Sequence, residues 1–206
     1  MTNKTVPAEL VLGGVPSPSA LDHLRRYCGL PWSGGSPETW AFHYFDVVET
    51  DPDRLDPIDV VSAAALHPGV SRADLTFFHD RRQDIESWLD GIPWHRQLAD
   101  SDDHIPLNEL VDFGAPSFTL LTKVLHRKRP RFVPMVDRHV LDRYRPTTGE
   151  RRALPAWPRL IDALREDLRN NHDQLAALSN TIEPEVGQPV SPLRICDIVI
   201  WMDARP

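Results

Sequence analysis

Residues 121–145 read LTKVLHRKRPRFVPMVDRHVLDRYR, and the fold turns on how this stretch divides. It opens as an apolar helical run through Leu121, Val124 and Leu125. It then passes into a basic knot at Arg127, Lys128, Arg129 and Arg131 and crosses a short apolar bridge, Phe132-Val133-Pro134-Met135-Val136. Asp137 stands where a second helix, RHVLDRY, begins. An aspartate shortly after a proline and directly before a helix is an ordinary N-cap, because its carboxylate accepts from the unpaired N–H groups of the first turn. Two helices joined by a basic turn are therefore the unit from which the rest is read.

Outward from that unit, helix-start signals recur. Ser17-Pro18 opens a run through Leu21, Leu24 and Tyr27 that Gly29 stops. Asp56-Pro57-Ile58-Asp59 and Ser71-Arg72-Ala73-Asp74 are capping patterns, and Ser117 and Ser191-Pro192 precede two further apolar runs. Leucines 160, 164, 168, 175 and 178 form the longest amphipathic stripe, over 158–178. The exception is 39–48, where Trp40, Phe42 and Tyr44 alternate. That spacing favours extended structure and a small hairpin there, although Trp40, Tyr44 and Val48 also fit a helix. Residues 1–16 read as an arm or loop. No repeat and no low-complexity linker divides the chain, so the expectation is one mainly α domain over 1–206, a globule of short helices.

Composition narrows the function classes. No apolar run approaches the roughly 20 residues of a membrane span, and the N-terminus lacks the pattern of a signal peptide, so a cytoplasmic protein is expected. Cys28 and Cys196 read as core thiols and make neither a disulfide framework nor a zinc set. Lysine occurs only at Lys4, Lys123 and Lys128, and with 20 prolines this is the usage of a GC-rich bacterial genome. Net charge is −7, against a general nucleic-acid binder. Between Lys123 and Arg145, however, eight basic residues face Asp137 and Asp142. This local charge of +6 leaves −13 on the remainder. A basic island on an acidic body fits a protein that meets an anion on one face. There is no P-loop, G-x-G-x-x-G, G-x-S-x-G, C-x-x-C or H-E-x-x-H, so no cofactor or metal is expected. His126 and His139 are not spaced with further ligands and read as core or helix-face residues.

The step from Val124-Leu125 to Val136-Asp137-Arg138-His139-Val140 resembles the core of the helix-hairpin-helix DNA glycosylases. There a V-L pair ends one helix, and V-D-x-H-[VI] opens the next with its catalytic Asp. The stretch is also similar to the hallmark K-[LV]-L-x-R-K-R-P-x-[LF]-[IV]-P-[VM]-x-D of a bacterial family of unknown function. The glycosylase resemblance covers about a sixth of the chain. In register with the family hairpin L-P-G-V-G-R-K-T-A, this chain has FGAPSFTLL over 113–121. Both hairpin glycines are replaced, Pro116 removes an N–H, and Thr119 stands where lyase-type members carry a Schiff-base lysine.

What the resemblance implies is a compact two-lobed multi-helix protein, with residues 1–55 plus 146–206 in one lobe and 56–145 in the other. It implies a monomeric, monofunctional glycosylase that excises a modified or damaged base from duplex DNA with an Asp137-activated water. Phosphate contacts would come from Lys123, Arg127, Lys128, Arg129, Arg131, Arg138, Ser117 and Thr119. The alternative is a helical module without catalysis that binds nucleic acid or a protein. The bland readings are an ordinary helix cap for Asp137 and a solvated turn for the knot.

Overall fold

The computed structural model describes residues 9–35, 40–66, 69–100 and 105–205. The arm over 1–8, Pro37, Thr39, His67 and His104 lie outside them. In chain order the described elements are β1 (Val11–Leu12), β2 (Val15–Pro16), α1 (Ala20–Tyr27), α2 (Phe42–Phe45), α3 (Pro57–Ala64), α4 (Arg72–Asp80), α5 (Arg82–Asp90), α6 (Ile105–Glu109), α7 (Phe118–Lys128), α8 (Arg138–Thr148), α9 (Ala153–Asn170), α10 (His172–Val186) and α11 (Pro192–Asp203). The protein is mainly α. None of these helices is long and apolar enough to cross a membrane.

The caps predicted at Asp56, Ser71, Ser117 and Ser191 form. Ser71 Oγ accepts from Asp74 N at 3.2 Å, while the Asp74 carboxylate accepts from Ser71 N at 2.9 Å. Ser117 accepts from Leu120 N and Ser191 from Arg194 N. α7 and α11 form the centre. Leu120, Leu121, Val124 and Leu125 of α7 are fully buried, as are Ile195, Cys196, Ile198, Val199 and Ile200 of α11. α11 packs against α1, α8 and α10, and α7 packs against α3 and α9. Arg194 is enclosed in that core and held by it: Asp46 accepts from it at 2.6 and 2.8 Å, and Tyr27 and Asp197 accept as well.

Three local expectations are corrected. Residues 40–48, the described part of the 39–48 segment, do not form a hairpin. Phe42 and Phe45, three apart, are both buried on one face of α2, while Tyr44 points to solvent, so helical rather than alternating spacing decides the segment. The small sheet instead lies within the expected N-terminal arm. There Leu12 pairs with Val15 around Gly13 and Gly14, whose φ values of +58° and +75° suit the tight hairpin turn that glycine permits. Ser17 is not the cap of α1, which starts after Ser19; the buried Ser17 hydroxyl donates to Asp203 at 2.6 Å instead. Finally, the 158–178 stripe spans two helices. Asn171 interrupts it and turns its side chain to the hairpin, accepting from Val11 N at 3.0 Å and donating to Val11 O at 2.8 Å.

Candidate functional site

Asp137 is placed by the way the bridge 132–136 folds back on α7. Phe132 N and Val133 N both donate to Arg129 O. Val133 O accepts from His126 Nδ1 at 2.7 Å, and Val136 N donates to Thr122 Oγ1 at 3.2 Å. Burial holds the His126 ring neutral, its pKa pushed down to about 3, so Nδ1 serves as a fixed donor. With Phe132, Val133 and Val136 fully buried, the start of α8 is locked beside the middle of α7. Asp137 Oδ1 caps α8, accepting from His139 N at 2.8 Å and Val140 N at 3.1 Å. Its other oxygen, Oδ2, lies 4.0 Å from Lys123 Nζ, and its side chain is 16% exposed.

Asp137 lines a cleft of about 950 Å³. One wall is α7 and α8, through Thr119, Lys123, Asp137, Arg138 and His139. A second is the end of α3, through Ala64, Ala65 and Leu66. The third is aromatic: Trp40, Tyr44 and Trp201, with Arg205 beside them. Lys123 is buried and donates to Leu66 O. Desolvation lowers its pKa, opposed by the charges of Asp137 and Asp197. Trp40 Nε1 is buried with no acceptor. Arg138 stands at the rim, 89% exposed and 3.6 Å from Asp142.

Three of the knot's four cations, Arg127, Lys128 and Arg129, are held inside the protein, which runs against both the phosphate-gripping and the solvated-turn expectation for 127–129. Arg127 donates to Phe45 O and to Val48 O at 2.8 Å. Lys128 donates to Asp51 O at 2.7 Å and to Thr50 Oγ1 at 3.2 Å, and pairs with Asp59 at 2.6 Å with both side chains fully buried. Arg129 donates to Leu89 O, Ile92 O and Pro52 O and reaches Asp53 at 2.8 Å. These three cations bind the carbonyls of the irregular 45–53 segment and the end of α5, groups that secondary structure leaves without donors. Lys123 is likewise turned inward. Arg131 lies half-buried at a separate cavity of about 570 Å³, between 45–50, α10 and 188–192. Ser117 caps α7 outside the cleft. Of the expected phosphate ligands, Thr119, Lys123 and Arg138 share the cleft with Asp137.

Sequence reading missed Trp201, Arg205 and Asp197. They stand four residues apart on or just beyond α11, a stripe less buried than the apolar residues between them, and that spacing was the available signal. Burial pushes the Asp197 carboxyl up to about 7. Arg194, also engaged by Asp46, offsets this only in part, while the nearby charge of Asp137 adds to it and that of Lys123 opposes it. A carboxyl raised on folding contributes stability below its unfolded value that is lost as pH rises through its folded value. Stability is therefore expected to fall by roughly 1 kcal/mol per pH unit between pH 5 and 7. Urea denaturation across that range should show the slope in wild type and a flatter profile in Asp197→Asn.

Among the described residues, no group of three or more His, Cys, Asp or Glu side chains could hold a metal ion. The fold and site together define a helical globule with an open cleft that combines one carboxylate, one buried ammonium and aromatic walls. The chain belongs to a family of unknown function (DUF6308), whose sequence pattern matches residues 20–204. No curated protein and no solved structure matches it.

Proposed function

We propose that the protein hydrolyses an N-glycosidic bond in DNA, taking an extruded base into the cleft. The observation that carries this reading is the placement of Asp137: one oxygen caps α8, and the other is directed at Lys123 in a cleft lined by Trp40, Tyr44 and Trp201. Aromatic faces receive a flipped base, and a carboxylate beside its sugar offsets the charge that develops as the base departs. In that step the C1′–N pair leaves with the base. Water then adds to C1′, and its proton passes to Asp137 or the departing base. Lys123, committed to Leu66 O and Asp137, holds the carboxylate rather than acting as a nucleophile, so borohydride should trap no covalent adduct.

The cleft walls come from both ranges expected to form lobes: Trp40, Tyr44, Trp201 and Arg205 from one, and Leu66, Thr119, Lys123 and Asp137 from the other. This supports a two-lobed arrangement. With 127–129 spent internally, Arg138 is the rim cation suited to a phosphate. Arg138→Ala is expected to weaken duplex binding severalfold for all sequences alike and to lower the salt slope by about one. Filter binding at several salt concentrations measures this, and an unchanged slope removes Arg138 from the interface.

A second reading, a helical module without catalysis, draws on the same residue, because a cap is all that Oδ1 requires of Asp137. Excision assays on duplexes carrying defined modified bases, with wild type and Asp137→Asn side by side, separate the two. Excision that depends on Asp137 supports the first, and its absence across the panel supports the second.

A further inference from the structure

The cavity of about 570 Å³ beside Arg131 shares no lining residue with the Asp137 cleft. α2 contributes to both, Tyr44 to the cleft and Phe45 to the cavity. The volume falls within the roughly 300–1,000 Å³ of small-molecule sites. His126 is part of the lining, and it is buried with one ring nitrogen, Nε2, that has no partner. Because Nδ1 donates to Val133 O and burial keeps the ring neutral, Nε2 carries a lone pair and no proton. A buried acceptor of this kind costs free energy until a donor reaches it. Nothing in the glycosidic reading uses this atom.

The charges of the lining balance: Asp46, Glu49 and Glu183 stand against Arg127, Arg131 and Arg194. Several of them are already committed. Arg194 pairs with Asp46, and Arg127 holds Asp59 and the carbonyls of Phe45 and Val48. The half-buried Arg131 guanidinium, by contrast, has no partner among the described residues. Glu183 accepts through Oε1 alone, from Ser179 Oγ at 2.7 Å and Val190 N at 3.3 Å, so its other oxygen is open. A simple anion answers Arg131 but is repelled by Glu183 and Glu49 and offers nothing to Nε2. A simple cation answers the carboxylates and is repelled by Arg131. A molecule with both an ammonium and a carboxylate answers all three.

We infer that this cavity binds a small zwitterion of the amino-acid class, its carboxylate on Arg131 and its ammonium shared by Glu183 and His126 Nε2. The exposed indole of Trp94, in the same lining, receives the ligand's side chain. An amino acid and a dipeptide share this chemistry and differ in the span between their two charged ends. The site goes beyond the glycosidic reading and does not depend on it.

The test is a titration of the full-length protein with each of the twenty standard L-amino acids and each of their N-glycyl dipeptides. The tightest binder is then compared with its two analogues, one lacking the ammonium and one lacking the carboxylate. NMR follows the His126 ring nitrogens and the indole N–H groups. Each analogue should bind at least about tenfold more weakly than the zwitterion. The Nε2 resonance should move as it gains a donor, and the Trp94 N–H should move while those of Trp40 and Trp201 stay. Arg131→Gln and Glu183→Gln should each weaken binding by a similar factor, since the amide at 183 still accepts from Ser179 and Val190 N. His126→Asn keeps a donor for Val133 O and loses the acceptor, so it should weaken binding too, with circular dichroism checking the fold.

Tighter binding in one of the two ligand sets identifies a free amino acid or a dipeptide as the source. The inference is overturned if no member of either set binds with a Kd below about 1 mM. It is equally overturned if either analogue binds as tightly as the zwitterion, or if a folded Arg131→Gln or Glu183→Gln variant binds as wild type does. Shifts at Trp40 and Trp201 in place of Trp94 would also overturn it, because they would move the ligand to the Asp137 cleft. Base excision is not read in any arm, so failure here leaves the glycosidic reading untouched, and failure of that reading leaves this site standing.

Discussion

Asp59→Asn is expected to destabilise the protein by about 3–5 kcal/mol, the cost of leaving a buried ammonium without its counter-charge. The Lys128 and Asp59 side chains are both fully buried and meet at 2.6 Å, with Arg127 at 3.5 Å from the other oxygen. Asp59 also closes the first turn of α3 by accepting from Asp56 N at 2.8 Å. The amide retains an acceptor for that last bond but presents no charge to Lys128. For a chain of this size the expected loss corresponds to roughly 6–20 °C in Tm. Lys128→Met should be destabilising too, because Asp51 O loses its donor. The double variant should lose less than the two single losses combined, since neither charge is then stranded. Urea denaturation of the three variants measures this. A cost below about 1 kcal/mol for Asp59→Asn would mean that water reaches the pair. The same geometry bears on how DNA binding is tested: alanine at Arg127 or Arg129 removes donors to six backbone carbonyls in all and damages the fold before it reports on any phosphate.

The local grammar of the fold was legible. Caps at Asp56, Ser71, Ser117, Asp137 and Ser191 lie next to the helices they start, and their partners are two or three residues away. What the sequence concealed is long-range pairing. Nothing near Lys128 reveals that Asp59 will meet it, or that the irregular segment 45–53 will present carbonyls lacking donors. A run of charges therefore reads as surface, although here it is internal scaffolding. The segment 39–48 failed for a related reason: its aromatics suit either period, and burial of Phe42 against Tyr27 and of Phe45 beneath Arg194 settles the choice. For the site, Asp137 was readable because a cap and, on the glycosidic reading, a catalytic carboxylate share one sequence position. Tyr44, Trp201 and Arg205 were not, because they meet Asp137 only after α2 and α11 have packed.

Asp137→Asn separates the carboxylate's cap from the role proposed for it in excision. The amide oxygen can accept from His139 N and Val140 N as Oδ1 does, so the cap largely survives and stability should change by no more than about 1 kcal/mol. The charge does not survive. Lys123, 4.0 Å away, loses one of its two stabilising carboxylates and is left with Asp197. Asp197, freed of the repulsion from Asp137, should titrate at lower pH than in wild type, which NMR of the labelled carboxyl can follow. DNA binding should persist or tighten, because a negative charge near the strand has gone. Excision should fall by roughly two to three orders of magnitude, since an amide dipole cannot replace a carboxylate opposite a developing oxocarbenium ion. Single-turnover excision from a duplex, measured beside the melting curve, gives both quantities. A folded Asp137→Asn variant that excises at the wild-type rate would be decisive against the glycosidic reading, because it would reduce Asp137 to the first residue of a helix.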